Sequence, residues 1–97
     1  GPDDFRGAFT SADGWGTIAQ KREGKMQRQL VEVKWGKLQL ATLAFTVADG
    51  MKPTKVSVQV GDKRIEADHT VEGERVRITL KNPLALSEGE RLEVVVA

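Results

Sequence analysis

A chain of 97 residues that is 39% hydrophobic carries enough apolar side chains for one compact domain and too few for two. Fifteen basic residues against 14 acidic ones leave a formal net charge of +1, which argues against nucleic acid as the main ligand. No apolar run approaches the roughly 20 residues of a membrane-spanning helix, and no cysteine with a single histidine removes disulfides, thiolate zinc sites, thiol catalysis and most histidine-based chemistry.

In chain order, Gly1-Pro2 resembles the remnant of a cleaved tag, and residues 3–97 read as one domain belonging to a larger protein. Residues 3 to 13 form a polar lead-in with Phe5 and Phe9, either an edge strand or a linker. From there Gly14, Gly24, Gly36, Gly50, Gly61, Gly73 and Gly89 punctuate runs that read as strands. The segment Gly16 to Arg22 pairs through Glu23-Gly24 with Met26 to Val33. Strict alternation places Gln27, Gln29, Val31, Val33 and Trp35 on one side of that ribbon, and Met26, Arg28, Leu30 and Glu32 on the other. Lys34-Trp35-Gly36-Lys37 reads as a hairpin tip with an exposed indole, whereas Trp15 reads as a core residue or as part of a ligand site.

Between Leu38 and Val47 the apolar positions change phase, Leu38 and Leu40 against Leu43, Phe45 and Val47, which predicts a bulge near Ala41-Thr42 or a strand crossing between sheets. Alternation resumes at Val56, Val58 and Val60, then Val76, Ile78 and Leu80, then Leu92, Val94 and Val96. Gly61-Asp62 has the glycine-first pattern of a tight hairpin turn. Pro53 and Pro83 are placed at strand entrances, because a proline inside a strand would break its ladder. No segment sustains a helical period. The fold class is therefore all-β: a single antiparallel β-sandwich of about seven to eight strands, immunoglobulin-like or jelly-roll-like. The cysteine pair of antibody domains is missing.

The chemistry points away from catalysis. His69 has no second histidine and falls in an expected loop, Asp68-His69-Thr70. The pairs Glu72 with Glu74 and Glu88 with Glu90 sit in turns rather than facing across a cleft. Asp13-Gly14 and Asp49-Gly50, with Asp3 and Asp4, supply oxygen ligands for calcium, but without the spacing of a calcium loop they read as turns. No enzyme activity, metal or cofactor is expected. The candidate ligand-binding residues are Trp15, Trp35, Gln20, Arg22, Gln27 and Gln29: a flat indole stacks on the apolar face of a pyranose, and amides and guanidinium groups hydrogen-bond its hydroxyls. Residues 20 to 37 carry six basic against two acidic side chains, which would favour an acidic sugar or an acidic protein surface.

The stretches Asp13-Gly14-Trp15-Gly16-Thr17-Ile18-Ala19-Gln20, Val33-Lys34-Trp35-Gly36-Lys37-Leu38 and Leu86-Ser87-Glu88-Gly89-Glu90-Arg91-Leu92 resemble the C-terminal β-sandwich domains of large bacterial glycoside hydrolases. That resemblance implies a noncatalytic accessory module, secreted or periplasmic in its parent and a monomer when isolated. It would bind polysaccharide or pack against the adjacent catalytic domain, with no nucleic-acid or membrane partner. The alternative is an immunoglobulin-like protein-interaction or spacer domain without a glycan ligand.

Overall fold

A computed structural model describes residues 5–11, 13–47 and 50–97, so the expectations for Gly1-Pro2, Asp3, Asp4 and Asp49 fall outside the described residues. The described residues form eight strands and no helix: β1 (Phe5–Ser11), β2 (Gly14–Glu23), β3 (Met26–Thr46), β4 (Val56–Val60), β5 (Lys63–Ile65), β6 (Ala67–Glu72), β7 (Arg75–Ser87) and β8 (Arg91–Val96). Every pairing is antiparallel.

Three of the connections are two-residue hairpin loops that begin on glycine: Gly24-Lys25, Gly61-Asp62 and Gly73-Glu74. Each of these glycines has φ near +60° while the residue after it does not, the geometry anticipated for Gly61-Asp62. The lead-in is an edge strand, β1, laid antiparallel along β2.

The long strand β3 organises the fold. Its first half lies between β2 and β8, and its second half pairs with β7. Following the ladders gives β1-β2-β3-β8-β4-β5 through the first half of β3 and β3-β7-β6 through its second half. Because both walls share β3, the antiparallel sheet coils on itself and nearly closes into a barrel, instead of dividing into the two independent layers that alternation alone suggested. The circuit stays open where β4 faces β6, since β5 covers β4 only from Val58 to Val60. Clefts of about 490 and 700 Å³ open at that seam, lined in part by Val56, Ser57, Arg64, Ala67 and Asp68.

The interior collects the alternating residues. Val33, Val58, Val76, Ile78, Leu86, Leu92, Val94 and Val96 are all essentially inaccessible to solvent. Burying each such side chain contributes about 1.5–3 kcal/mol. The phase change in β3 is a bulge at Ala41: the register passes from Leu40 opposite Leu84 to Thr42 opposite Thr79. Over the same step β7 advances by more residues than β3, and this excursion holds Pro83. Proline thus sits inside β7 rather than at its entrance, at a point where no β3 partner faces it and no ladder hydrogen bond to β3 is lost. Asp68-His69-Thr70 likewise belongs to a strand, β6, and not to a loop; its residues are exposed because β6 borders the open seam.

Candidate functional site

The hairpin β2–β3 brings together all the candidate residues, and its register decides which of them can act together. Gln20 faces Gln29, Arg22 faces Gln27, and Trp15 faces Trp35. Between Trp15 and Gly16 the pairing slips: Gly16 opposes Val33 while Trp15 opposes Trp35, leaving Lys34 as an extra residue in β3. A bulge of this kind turns every later side chain to the opposite face. Trp35 therefore leaves the side of Gln27, Gln29, Val31 and Val33, where unbroken alternation placed it, and joins Trp15 on the outer face. Nor is Lys34-Trp35-Gly36-Lys37 a hairpin tip, because β3 runs through it without reversing.

The glutamines point inward. Gln27 is wholly buried, and its Nε2 donates to the Thr46 carbonyl at 3.1 Å. Its Oε1 has no partner. Gln29, 7% exposed, donates from Nε2 to Gln20 Oε1 at 2.6 Å. Gln20 is half-buried, and Arg22 reaches the surface at the hairpin end. These amides form a polar layer at one end of the barrel. A molecule resting on the indoles cannot reach Gln27 or Gln29, since the sheet itself lies between.

Outside, Trp15 is 47% and Trp35 58% exposed, directly opposite one another on neighbouring strands. Two glycines make their pairing possible. A Cβ on Gly14 would meet the Trp35 carbonyl oxygen, and one on Gly36 would meet the Asp13 carbonyl oxygen. Gly36 also has φ +77°, and the Lys37 amide donates to that same Asp13 carbonyl at 3.0 Å. The two backbones thus cross at close range, and the crossing holds the indoles side by side where β3 passes from one wall to the other.

One outward-facing row further along the hairpin, Thr17 opposes Glu32, and Glu32 opposes Arg91 of β8. Glu32 Oε1 lies 3.1 Å from Lys34 Nζ and its Oε2 3.9 Å from Arg91 Nη2. The outer face therefore carries an apolar platform beside a carboxylate held from two directions, which suits stacking and hydrogen bonding of a flat polyhydroxylated ring. Alternation had set Glu32 on the far side from Trp35, and Arg91 reaches it only through the pairing of β3 with β8.

Of the other titratable groups considered, His69, Glu72 and Glu74 lie apart from this face, whereas the turn that carries Glu88 and Glu90 is backbone-bonded to Val33. His69 is exposed on β6, and Glu72, Glu74, Glu88 and Glu90 sit at hairpin ends, where Glu90 Oε1 accepts the Ser87 amide at 2.7 Å. Among the described residues no group of three or more His, Asp or Glu side chains is placed to hold a metal ion. No protein-family model and no curated protein matches the chain.

Proposed function

We propose that this domain is a noncatalytic accessory module of a larger bacterial carbohydrate-active enzyme, secreted or periplasmic in that parent, and that it binds polysaccharide on the Trp15–Trp35 platform. The observation that carries the proposal is the placement of both tryptophans of the chain, adjacent and about half exposed, on an outer sheet face. Burial of two indoles would stabilise the domain substantially, so a fold that leaves them in water keeps a surface for something that covers them. The all-β, antiparallel build of the module is in keeping with that reading. Its hydrogen-bonding groups are then Thr17, Glu32 and Lys34 rather than the buried glutamines.

Indole fluorescence and amide chemical shifts, followed while plant, host and bacterial polysaccharides are added, test the reading. Perturbation centred on Trp15 and Trp35, lost in Trp35→Ala, is the expected result. Silence across all three classes refutes glycan binding and leaves the spacer or protein-interaction reading. In that case hydrogen exchange at residues 33–38 slows when the domain is attached to its parent.

A further inference from the structure

Resting on that reading, we infer that Glu32 selects the ligand of the indole platform, and that the ligand is a neutral polysaccharide recognised through its hydroxyls rather than an acidic one. Glu32 and Trp15 share the outer face one same-face step apart, about 7 Å along the strand. The position is internal to the sheet, between β2 and β8, so its backbone is fixed on both sides. Its side chain is a quarter exposed, close enough to solvent to meet a ligand and sheltered enough to be held in place.

An ionised carboxylate is a pure acceptor with about four lone-pair sites. Lys34 takes one from Oε1 and Arg91 stands 3.9 Å from Oε2, so the group is held between two cations while each oxygen keeps a free site. Those free sites accept sugar O–H groups, and hydrogen bonds to an ionised acceptor are the stronger kind.

The positive balance counted along residues 20 to 37 does not persist at the platform. Lys21, Arg22, Lys25 and Arg28 lie toward the Gly24-Lys25 end of the hairpin, away from the indoles. Near the indoles Lys34, Lys37 and Arg91 are matched by Asp13, Glu32 and Glu90: Asp13 is backbone-bonded to Lys37, and Glu90 to Val33. Among the described residues no excess of positive charge remains there to draw a uronate, and two of the three cations already face Glu32. A uronate carboxylate stacked on Trp15 would meet Glu32 as a like charge.

The test titrates the indole fluorescence of the wild type, Glu32→Gln and Trp35→Ala with cellohexaose, xylohexaose, mannohexaose and a galacturonate hexamer, after thermal melts establish that each variant is folded. The wild type is expected to bind at least one neutral hexamer and to bind the galacturonate hexamer at least tenfold more weakly. Glu32→Gln keeps the shape but loses the charge, so its neutral affinity falls on the order of tenfold and its discrimination against the uronate narrows. Unchanged neutral affinity and selectivity in Glu32→Gln, with binding still lost in Trp35→Ala, overturns the role of Glu32 and leaves the platform standing. Tighter binding of the uronate by the wild type overturns the neutral assignment alone. No response to any hexamer overturns this inference and the glycan-binding reading together.

Discussion

Replacing Gly36 by alanine probes the contact on which the indole pair depends. The substitution combines two costs that can be separated. The first is conformational: a side chain at φ +77° costs about 1–2 kcal/mol. The second is steric, because the new Cβ would run into the Asp13 carbonyl oxygen and come within 2.9 Å of the Gly14 Cα, both backbone atoms that cannot rotate away. Relieving that overlap means moving β2 from β3, which costs about 1–3 kcal/mol as overpacking and about 1 kcal/mol more if the Lys37 amide loses its acceptor. The total is about 3–6 kcal/mol, a large share of the roughly 5–15 kcal/mol that stabilises a typical domain. Gly24 is the control: its φ is +59°, but nothing lies within 4 Å of its added Cβ, so Gly24→Ala bears the conformational cost alone. Urea denaturation followed by indole fluorescence and far-ultraviolet circular dichroism compares the two. Gly36→Ala should unfold at a clearly lower urea concentration than Gly24→Ala, a difference of about 2–4 kcal/mol, and its native fluorescence should change as the indoles separate. Equal midpoints for the two variants would refute the claim that the close crossing of β2 and β3 sets the platform.

Gln27→Glu places a carboxyl where no water reaches, against the Thr46 carbonyl, while Arg22 across the hairpin turns to the surface. Burial raises the folded pKa of that carboxyl, so relative to the wild type the variant is unimpaired below the unfolded value of about 4.3 and loses stability as pH rises through the folded value. Urea midpoints of both proteins across pH 4 to 8 check the sign, and a deficit that grows toward acid would contradict it. Gln27→Met discards the unpartnered Oε1 as well as the bond to Thr46, and should fall within about 1.5 kcal/mol of the wild type in the same assay. Ile78→Ala opens a cavity between the walls and should cost about 2–5 kcal/mol, read as a lowered melting temperature. Trp35→Ala, by contrast, removes a half-exposed side chain and should cost only about 0.5–1.5 kcal/mol from the lost pairing with Trp15.

What could be read ahead of the structure followed from local rules. Val76, Ile78 and Leu80 alternate with polar neighbours, and a strand with one buried face has no other register open to it. The glycine-first pairs become hairpin loops because only glycine adopts the positive φ they need at no steric cost. The bulge at Ala41 was legible because the apolar residues on either side of it change parity. The bulge at Lys34 was not, because Val31, Val33 and Trp35 continue one parity straight across the shift, and an exposed tryptophan looks the same as a buried one in a hydrophobic pattern. Gln27 and Gln29 misled for the converse reason: an amide reads as a surface group until a distant acceptor, the Thr46 carbonyl or Gln20, is brought against it inside the barrel.

Local patterning thus specifies antiparallel sheet, the hairpin turns at Gly24, Gly61 and Gly73 and the alternating valines, isoleucines and leucines of the interior, since each depends on residues within a few positions of one another. The tertiary structure alone decided that β3 belongs to both walls, that Trp15 and Trp35 meet outside while the glutamines face inside, and that Glu32 stands between Lys34 and Arg91. Those outcomes depend on backbone crossings and strand pairings between segments far apart in the chain, and the near-neutral charge that first excluded polyanions became, once Lys34, Lys37 and Arg91 were seen beside Asp13, Glu32 and Glu90, a local balance at the platform.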